Sequence, residues 1–104
     1  MGMANLQRMA QQMQQEMERV QAELAATKVE GSAGGGVVKV VVTGKQELVS
    51  IAIDPSAVDP ADVEMLEDLV TAAVNEALES SRRLAEQKMG GMQSLGGLGG
   101  LLGR

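Results

Sequence analysis

A run of β-branched residues in the first half of the chain restricts the fold most strongly. Residues 37–43 read VVKVVVT, and every residue except Lys39 is β-branched. Such a segment favours a β-strand, and apolar residues at both odd and even positions indicate apolar contact on both faces of the sheet. We therefore expect a sheet that needs two covers, one of which a helix of the same chain can supply.

Neighbouring segments extend this sheet. Residues 28–33 predict a short edge strand, and the glycines at 34–36 predict the turn after it. Residues 47–53 alternate, so that Val49, Ile51 and Ile53 face one way, which is typical of a strand. Gly44 and Lys45 predict the hairpin turn between the last two strands.

The N-terminal segment predicts a long amphipathic helix over residues 3–27. No Gly or Pro interrupts it, and Gln, Glu, Ala and Met are good helix formers. At 1.5 Å per residue the helix is about 37 Å long, so we expect part of it to project from a domain this small. Its apolar residues recur at spacings of three and four: Leu6, Met9, Met13, Met17, Val20 and Leu24.

A second helix is predicted over residues 60–89. Asp59 suits the N-cap position and Pro60 the first turn. Acidic residues crowd the start of this segment and basic residues its end, which complements the helix dipole. We expect residues 1–89 to form a single domain. The remaining residues, 90–104, are rich in Gly and Leu and low in complexity, so we expect a flexible tail.

The predicted class is therefore α+β: a long N-terminal helix, a three-stranded antiparallel sheet and a long C-terminal helix, in the order α-β-β-β-α. One helix can cover one face of the sheet. The other face most simply meets its copy in a second subunit, so we expect a dimer through the sheet with projecting helices.

Missing residue types limit the chemistry. The 104-residue chain has no His, Cys, Trp, Tyr or Phe. His and Cys are the side chains most easily used for acid–base and nucleophilic catalysis, so we expect no enzyme and no small-molecule substrate. The same absence argues against zinc and transition metals, and no calcium-loop spacing is present. We predict no metal site and no cofactor. No apolar run suits a signal peptide or a membrane span, which favours a cytosolic protein without a membrane partner.

One stripe of the first helix carries candidate contacts to nucleic acid. Arg8, Gln12, Gln15 and Arg19 are spaced by four, three and four residues, so they share a face roughly opposite the apolar stripe. Arg can pair with phosphate, and Gln can bond a phosphate or a base edge. The alternative is a solvated polar face, which the carboxylates nearby favour. These are Glu16, Glu18 and Glu23.

The end of the second helix carries the other candidates, Arg82, Arg83 and Lys88. They could contact phosphates, and a dimer would double them. Structural roles are an alternative, because cations suit a helix C-terminus and Glu79 precedes Arg83 by the four residues that favour an ion pair. Lys39 and Lys45 look like edge lysines that oppose aggregation between sheets.

Several segments, read in order, resemble the YbaB/EbfC family of bacterial nucleoid-associated proteins. The resemblance covers roughly residues 5–89, and the Gly/Leu-rich tail also suits the family. The residues that carry it are the Met/Gln-rich first helix (Met9, Gln12, Met13, Gln14, Met17), Val29-Glu30-Gly31, Ala33-Gly34-Gly35-Gly36, Val38 to Gly44, Ile53-Asp54-Pro55, Asp59-Pro60, Met65-Leu66-Glu67-Asp68-Leu69, and Ala72-Ala73-Val74-Asn75 with Ala77.

The resemblance implies a homodimer whose long helices project like the arms of tweezers, bind double-stranded DNA with weak sequence preference and alter its conformation. It implies a place in the nucleoid, in the cytoplasm, with roles in nucleoid organisation and gene regulation. The net charge of −5 opposes such binding, because DNA-binding domains normally carry a basic excess. The alternative is a protein-interaction module acting through the amphipathic helices and the Leu-rich tail.

Overall fold

A computed structural model describes the backbone of residues 2–95 and the side chains as far as residue 90. Helix α1 (Gly2–Ala26) leads into three strands, β1 (Lys28–Ala33), β2 (Val38–Thr43) and β3 (Leu48–Ile53), and helix α2 (Val63–Leu95) follows. Short 3-10 turns lie at Gly34–Gly36 and Pro55–Ala57. The predicted α+β class and the order α-β-β-β-α are confirmed.

The three strands form one antiparallel sheet with β2 in the centre. Val40 is paired with Gly31 of β1 and with Ile51 of β3. The pairing of β2 with β3 shifts between Val41 and Val42. Because Lys39 lies on the central strand, its predicted role as an edge lysine is wrong.

The core lies between the sheet and α2. Val38, Val40 and Val42 point from one face of β2 and pack with Ala73 and Ala77 of α2, and all five are fully buried. The alternation of side chains along a strand brings these three valines to the same face. Helix α2 packs on β1 and β2, so it supplies the cover that the sequence predicted for one face.

Two glycines allow the backbones to approach closely. A Cβ added at Gly31 would lie 2.4 Å from the nitrogen of Ala77 and 2.5 Å from the carbonyl oxygen of Ala73. The backbones of β1 and α2 therefore approach each other where both elements carry small residues. A Cβ at Gly44 would lie 2.7 Å from the carbonyl oxygen of Leu24. The nitrogen of Gly44 donates a hydrogen bond of 2.9 Å to that same oxygen, which fixes the end of α1 against the β2–β3 turn.

Helix α1 is anchored at its C-terminal end only. Val20 and Leu24 are its buried residues. The helix surface before them is exposed, including Met13 at 59%. The expected projection of α1 is therefore confirmed. The molecule is elongated, with a longest dimension of 72 Å.

The start of α2 differs from the prediction. The side chain of Asp59 accepts a hydrogen bond of 2.9 Å from the nitrogen of Ala61, and its carbonyl accepts one from the nitrogen of Asp62, so Asp59 closes a turn. Asp62 occupies the cap instead, because its carboxylate accepts from the nitrogen of Met65 at 3.2 Å, the third helical position. The predicted start at residue 60 is therefore wrong.

The end of α2 differs as well. The helix runs through Gly90 to Leu95, past the predicted end at residue 89. A glycine costs about 1 kcal/mol relative to alanine in a helix interior, which weakens a helix without ending it. Of the predicted flexible tail at 90–104, residues 96–104 lie outside the described residues.

The sheet does not present a second apolar face. Paired residues of an antiparallel ladder share a face. Opposite α2, Val41 is paired with Glu30 and Ser50, and Lys39 with Ser32 and Ala52. The expectation of apolar contact on both faces is wrong, because the residues paired with Val41 on the two neighbouring strands are polar. The uncovered apolar surface is the β3 apolar strip, in which every member is exposed: Leu48, Val49, Ile51 and Ile53.

Candidate nucleic-acid interface

The polar stripe of α1 lies on an exposed face of the projecting helix. Arg8, Gln12, Gln15 and Arg19 are all exposed, as the sequence predicted for a solvated or a DNA-binding surface. At 1.5 Å per residue, Arg8 and Arg19 lie about 16 Å apart along the helix. A helix presents these side chains in a row because spacings of three and four residues return to one face.

Arg19 is held by two carboxylates of its own helix. Its guanidinium donates to both carboxylate oxygens of Glu16 and, at 2.8 Å, to Oε1 of Glu23. The hydrogen bond with Glu16, and then the negative charges of Glu16 and Glu23, raise the pKa of Arg19 above its ordinary value. Arg19 therefore offers less unbalanced positive charge than its exposed position suggests.

Lys88 contacts the same Glu23 from the other helix. Its Nζ donates to Oε2 of Glu23 at 3.1 Å, so each oxygen of this carboxylate faces one cation. The hydrogen bond from Lys88 is the main reason that the pKa of Glu23 lies below its ordinary value. Arg19 and Lys88, which the sequence places on separate helices, thus come together through Glu23.

Arg82 and Arg83 lie apart from this cluster. Ser81 is fully buried, and its hydroxyl donates a hydrogen bond of 2.7 Å to the carbonyl oxygen of Thr43 at the end of β2. Because successive helical residues turn by about 100°, this contact directs the next two side chains away from the sheet. Both arginines are exposed.

Three of the candidate cations are without an ionic partner among the described side chains. The ion pairs of residues 2–90 are Arg19 with Glu16, Arg19 with Glu23, and Lys88 with Glu23. The predicted pair between Glu79 and Arg83 is not among them. Among the candidate cations, Arg8, Arg82 and Arg83 therefore have the most freedom to bind an external anion.

The sequence missed the importance of Glu23. The sequence marked Glu23 only as a carboxylate near the polar stripe, and the structure pairs it with Arg19, four positions earlier on α1. Nothing local linked Glu23 to Lys88, which is 65 positions later. Such a contact depends on how α1 and α2 are placed by the sheet.

Neither a metal cluster nor a membrane-spanning helix is found within residues 2–95. These residues contain no group of three His, Cys, Asp or Glu residues arranged to hold a metal ion. None of the helices within residues 2–95 is long and apolar enough to cross a membrane.

Comparisons with known proteins agree with the resemblance seen in the sequence. The profile of the YbaB/EbfC DNA-binding family matches residues 1–98. A protein from Chloroflexus aurantiacus named nucleoid-associated protein is 52% identical over 101 residues, covering 97% of this chain and 99% of the relative. A protein of the same name from Moorella thermoacetica is 56% identical over 92 residues, covering 86% of this chain and 88% of the relative.

A solved structure supports the fold alone. An uncharacterised protein from Helicobacter pylori superposes with a TM-score of 0.79 over 89% of this chain and 98% of that protein. The two sequences are 24% identical over the match. The helix–sheet–helix arrangement described above therefore also occurs in a distant sequence.

Proposed function

Because the chain belongs to the YbaB/EbfC DNA-binding family, we propose that it is a nucleoid-associated protein that binds double-stranded DNA as a homodimer. We further propose that it acts with weak sequence preference, alters DNA conformation and serves nucleoid organisation and gene regulation in the cytoplasm. Its relatives in Chloroflexus aurantiacus and Moorella thermoacetica are named nucleoid-associated proteins. The observation that carries the proposal is the exposure of Arg8, Arg82 and Arg83 on two long helices of a chain from this family.

The proposed contacts are mainly with phosphates. Arginine forms charge-assisted hydrogen bonds with phosphate oxygens. Gln12 and Gln15, on the same stripe as Arg8, can bond a phosphate or a base edge. The chain has no aromatic residue, so it has no ring on which an unpaired base could stack. The chain can still contact the phosphate backbone of a duplex and recognise the shape of its grooves, and both modes give weak sequence preference.

The acidic net charge of the chain should limit its affinity for DNA. The net charge of −5 repels DNA overall, so binding depends on the few exposed cations that the helices carry. We expect modest affinity that falls steeply with salt, because phosphate contacts release counterions.

The β3 apolar strip supports the proposed homodimer. It continues the apolar side of the sheet beyond the area that α2 covers, and Ile51 and Ile53 are about 40% exposed, at 42% and 39%. Contiguous exposed apolar surface marks an interaction site on a soluble protein. A second copy covering this strip would also double the number of exposed arginines.

A duplex titration tests the proposal. We expect binding at low salt, measured by fluorescence anisotropy, and weaker binding after Arg82→Ala with Arg83→Ala and after Arg8→Ala with Arg19→Ala. Lys45→Ala is the matched control, because it removes an exposed cation from the β2–β3 turn. Absence of binding at low salt, or equal affinity of all variants, contradicts the proposal.

No catalytic role is proposed. The family is described by its binding of DNA.

The apolar side of α1 favours a second candidate, a protein-interaction module acting through the amphipathic helices and the Leu-rich tail. Flexible Met side chains suit an adaptable binding surface. A pull-down that recovers one stoichiometric partner after nuclease treatment, and loses it with Met9→Ser and Met13→Ser, would favour this candidate. The exposed members of the stripe are Met3, Leu6, Met9, Met13 and Met17.

A further inference from the structure

Glu23 joins cations from two helices in a way that bears on DNA binding. Its Oε1 accepts from Arg19 at 2.8 Å and its Oε2 accepts from Lys88 at 3.1 Å. Glu16 adds a second carboxylate to Arg19. Two of the seven residues proposed to contact DNA are therefore already engaged by acidic side chains of the same chain.

The carboxylate of Glu23 bridges the two cations and resembles a phosphate in its chemistry. A DNA phosphate presents two unesterified oxygens that share a negative charge, as the carboxylate of Glu23 does. Arginine and lysine bind either group through the same donors. A phosphate that binds Arg19 and Lys88 therefore competes with the carboxylate oxygens that now hold them and that partly neutralise their charge.

All members of the cluster remain accessible to such an exchange. The side chains of Arg19, Glu23 and Lys88 are exposed by 59%, 41% and 34%. Exposed ion pairs are weak and are screened by salt, so a polyanion can displace them. A buried pair would resist displacement, because separating it would leave an unpaired charge inside the protein.

From this geometry we propose that Glu23 is a built-in competitor for the DNA phosphate and lowers the affinity of the Arg19–Lys88 pair for DNA. This inference rests on the proposed function, and it concerns how strongly the same site binds DNA. Glu16 acts in the same direction on Arg19 alone. The chain thereby keeps its binding weak and reversible while holding both cations in place.

The test is a duplex titration of Glu23→Gln at low salt. Removing the carboxylate frees Lys88 and takes one of two carboxylates from Arg19, which Glu16 still holds. We therefore expect binding about three- to tenfold tighter than that of the wild-type chain. Glu16→Gln takes one carboxylate from Arg19, which Glu23 still holds, and leaves Lys88 paired, so it should give a smaller gain. Glu18→Gln is the matched control, since it makes the same change of charge on the same helix at an exposed residue outside these ion pairs.

A double-mutant cycle separates competition from a general change of charge. In a chain that carries Arg19→Gln and Lys88→Gln, adding Glu23→Gln should change the affinity no more than Glu18→Gln does. The inference alone is overturned if the wild-type chain binds and Glu23→Gln binds no more tightly than Glu18→Gln. If neither the wild-type chain nor Glu23→Gln binds duplex DNA, the proposed function fails and the inference fails with it.

Discussion

The Nζ of Lys88 lies 3.1 Å from Oε2 of Glu23, and this contact ties the C-terminal part of α2 to the end of α1. Apart from it, α1 is held by the burial of Val20 and Leu24 and by the backbone hydrogen bond from Gly44. The direction in which α1 leaves the sheet, relative to α2, therefore depends in part on an exposed ion pair. Conditions that alter this pair should alter the arrangement of the helices.

Acidification should remove the contribution of this pair to stability. The folded-state pKa of Glu23 lies below its ordinary value of 4.5. A lowered folded-state pKa stabilises the fold above the unfolded-state value, and the contribution disappears as pH falls through the folded-state pKa. We expect Lys88→Gln to lower the Tm at neutral pH and to have no effect once the pH is well below 4.5.

Two measurements check this pH dependence. Thermal unfolding of the wild-type chain and of Lys88→Gln across the acid range gives the difference in Tm. A carbon NMR titration of the Glu23 carboxyl group should move its midpoint upward in Lys88→Gln. An identical midpoint in both chains would mean that Lys88 does not hold this carboxylate in solution.

Gly31→Ala should destabilise the fold strongly. The added Cβ would lie 2.4 Å from the nitrogen of Ala77 and 2.5 Å from the carbonyl oxygen of Ala73, and both are backbone atoms that cannot swing aside. Overpacking of this kind costs about 1–3 kcal/mol or more of unfolding free energy, which urea denaturation measures.

The matched control is Gly90→Ala on α2. Nothing lies within 4 Å of the added Cβ, and the residue is helical. Alanine is favoured over glycine in a helix interior, so the free energy of unfolding should stay equal or rise by up to about 1 kcal/mol. Equal effects of the two substitutions would be inconsistent with close packing of β1 on α2.

Ile51→Glu should convert the proposed dimer to a monomer. Ile51 lies in the β3 apolar strip and is paired with the buried Val40. A carboxylate there would be desolvated without a partner if a second copy covered the strip. Sedimentation velocity measures the change, and Ala72→Glu, on an exposed part of α2, is the control with the same charge change. A chain that is already monomeric before substitution would contradict the homodimer.

Local patterns predicted the elements of this fold well. The valines of β2 and the apolar spacing of α1 identify their elements because side-chain period is a property of one segment. The cap of α2 was misplaced since Asp59 and Asp62 are equally suitable residue types. Only the turn that Asp59 closes determines that Asp62 begins the helix.

Pairing between segments was harder to anticipate. Val41 made the second face of the sheet look apolar, yet its partners in the neighbouring strands are Glu30 and Ser50. The same limit applies to the candidate interface. The contact of Arg19 with Glu23 follows from helical spacing, whereas the contact of Lys88 with Glu23 requires the tertiary arrangement of both helices.

The salt dependence of duplex binding tests the central claim most directly. Binding through phosphates predicts that the logarithm of the association constant falls linearly with the logarithm of salt concentration, with a slope of about −0.9 per phosphate contacted. Substituting Arg82→Gln with Arg83→Gln should make that slope shallower and weaken binding at every salt concentration. Absence of binding at the lowest salt, or a slope that these substitutions leave unchanged, would contradict the account.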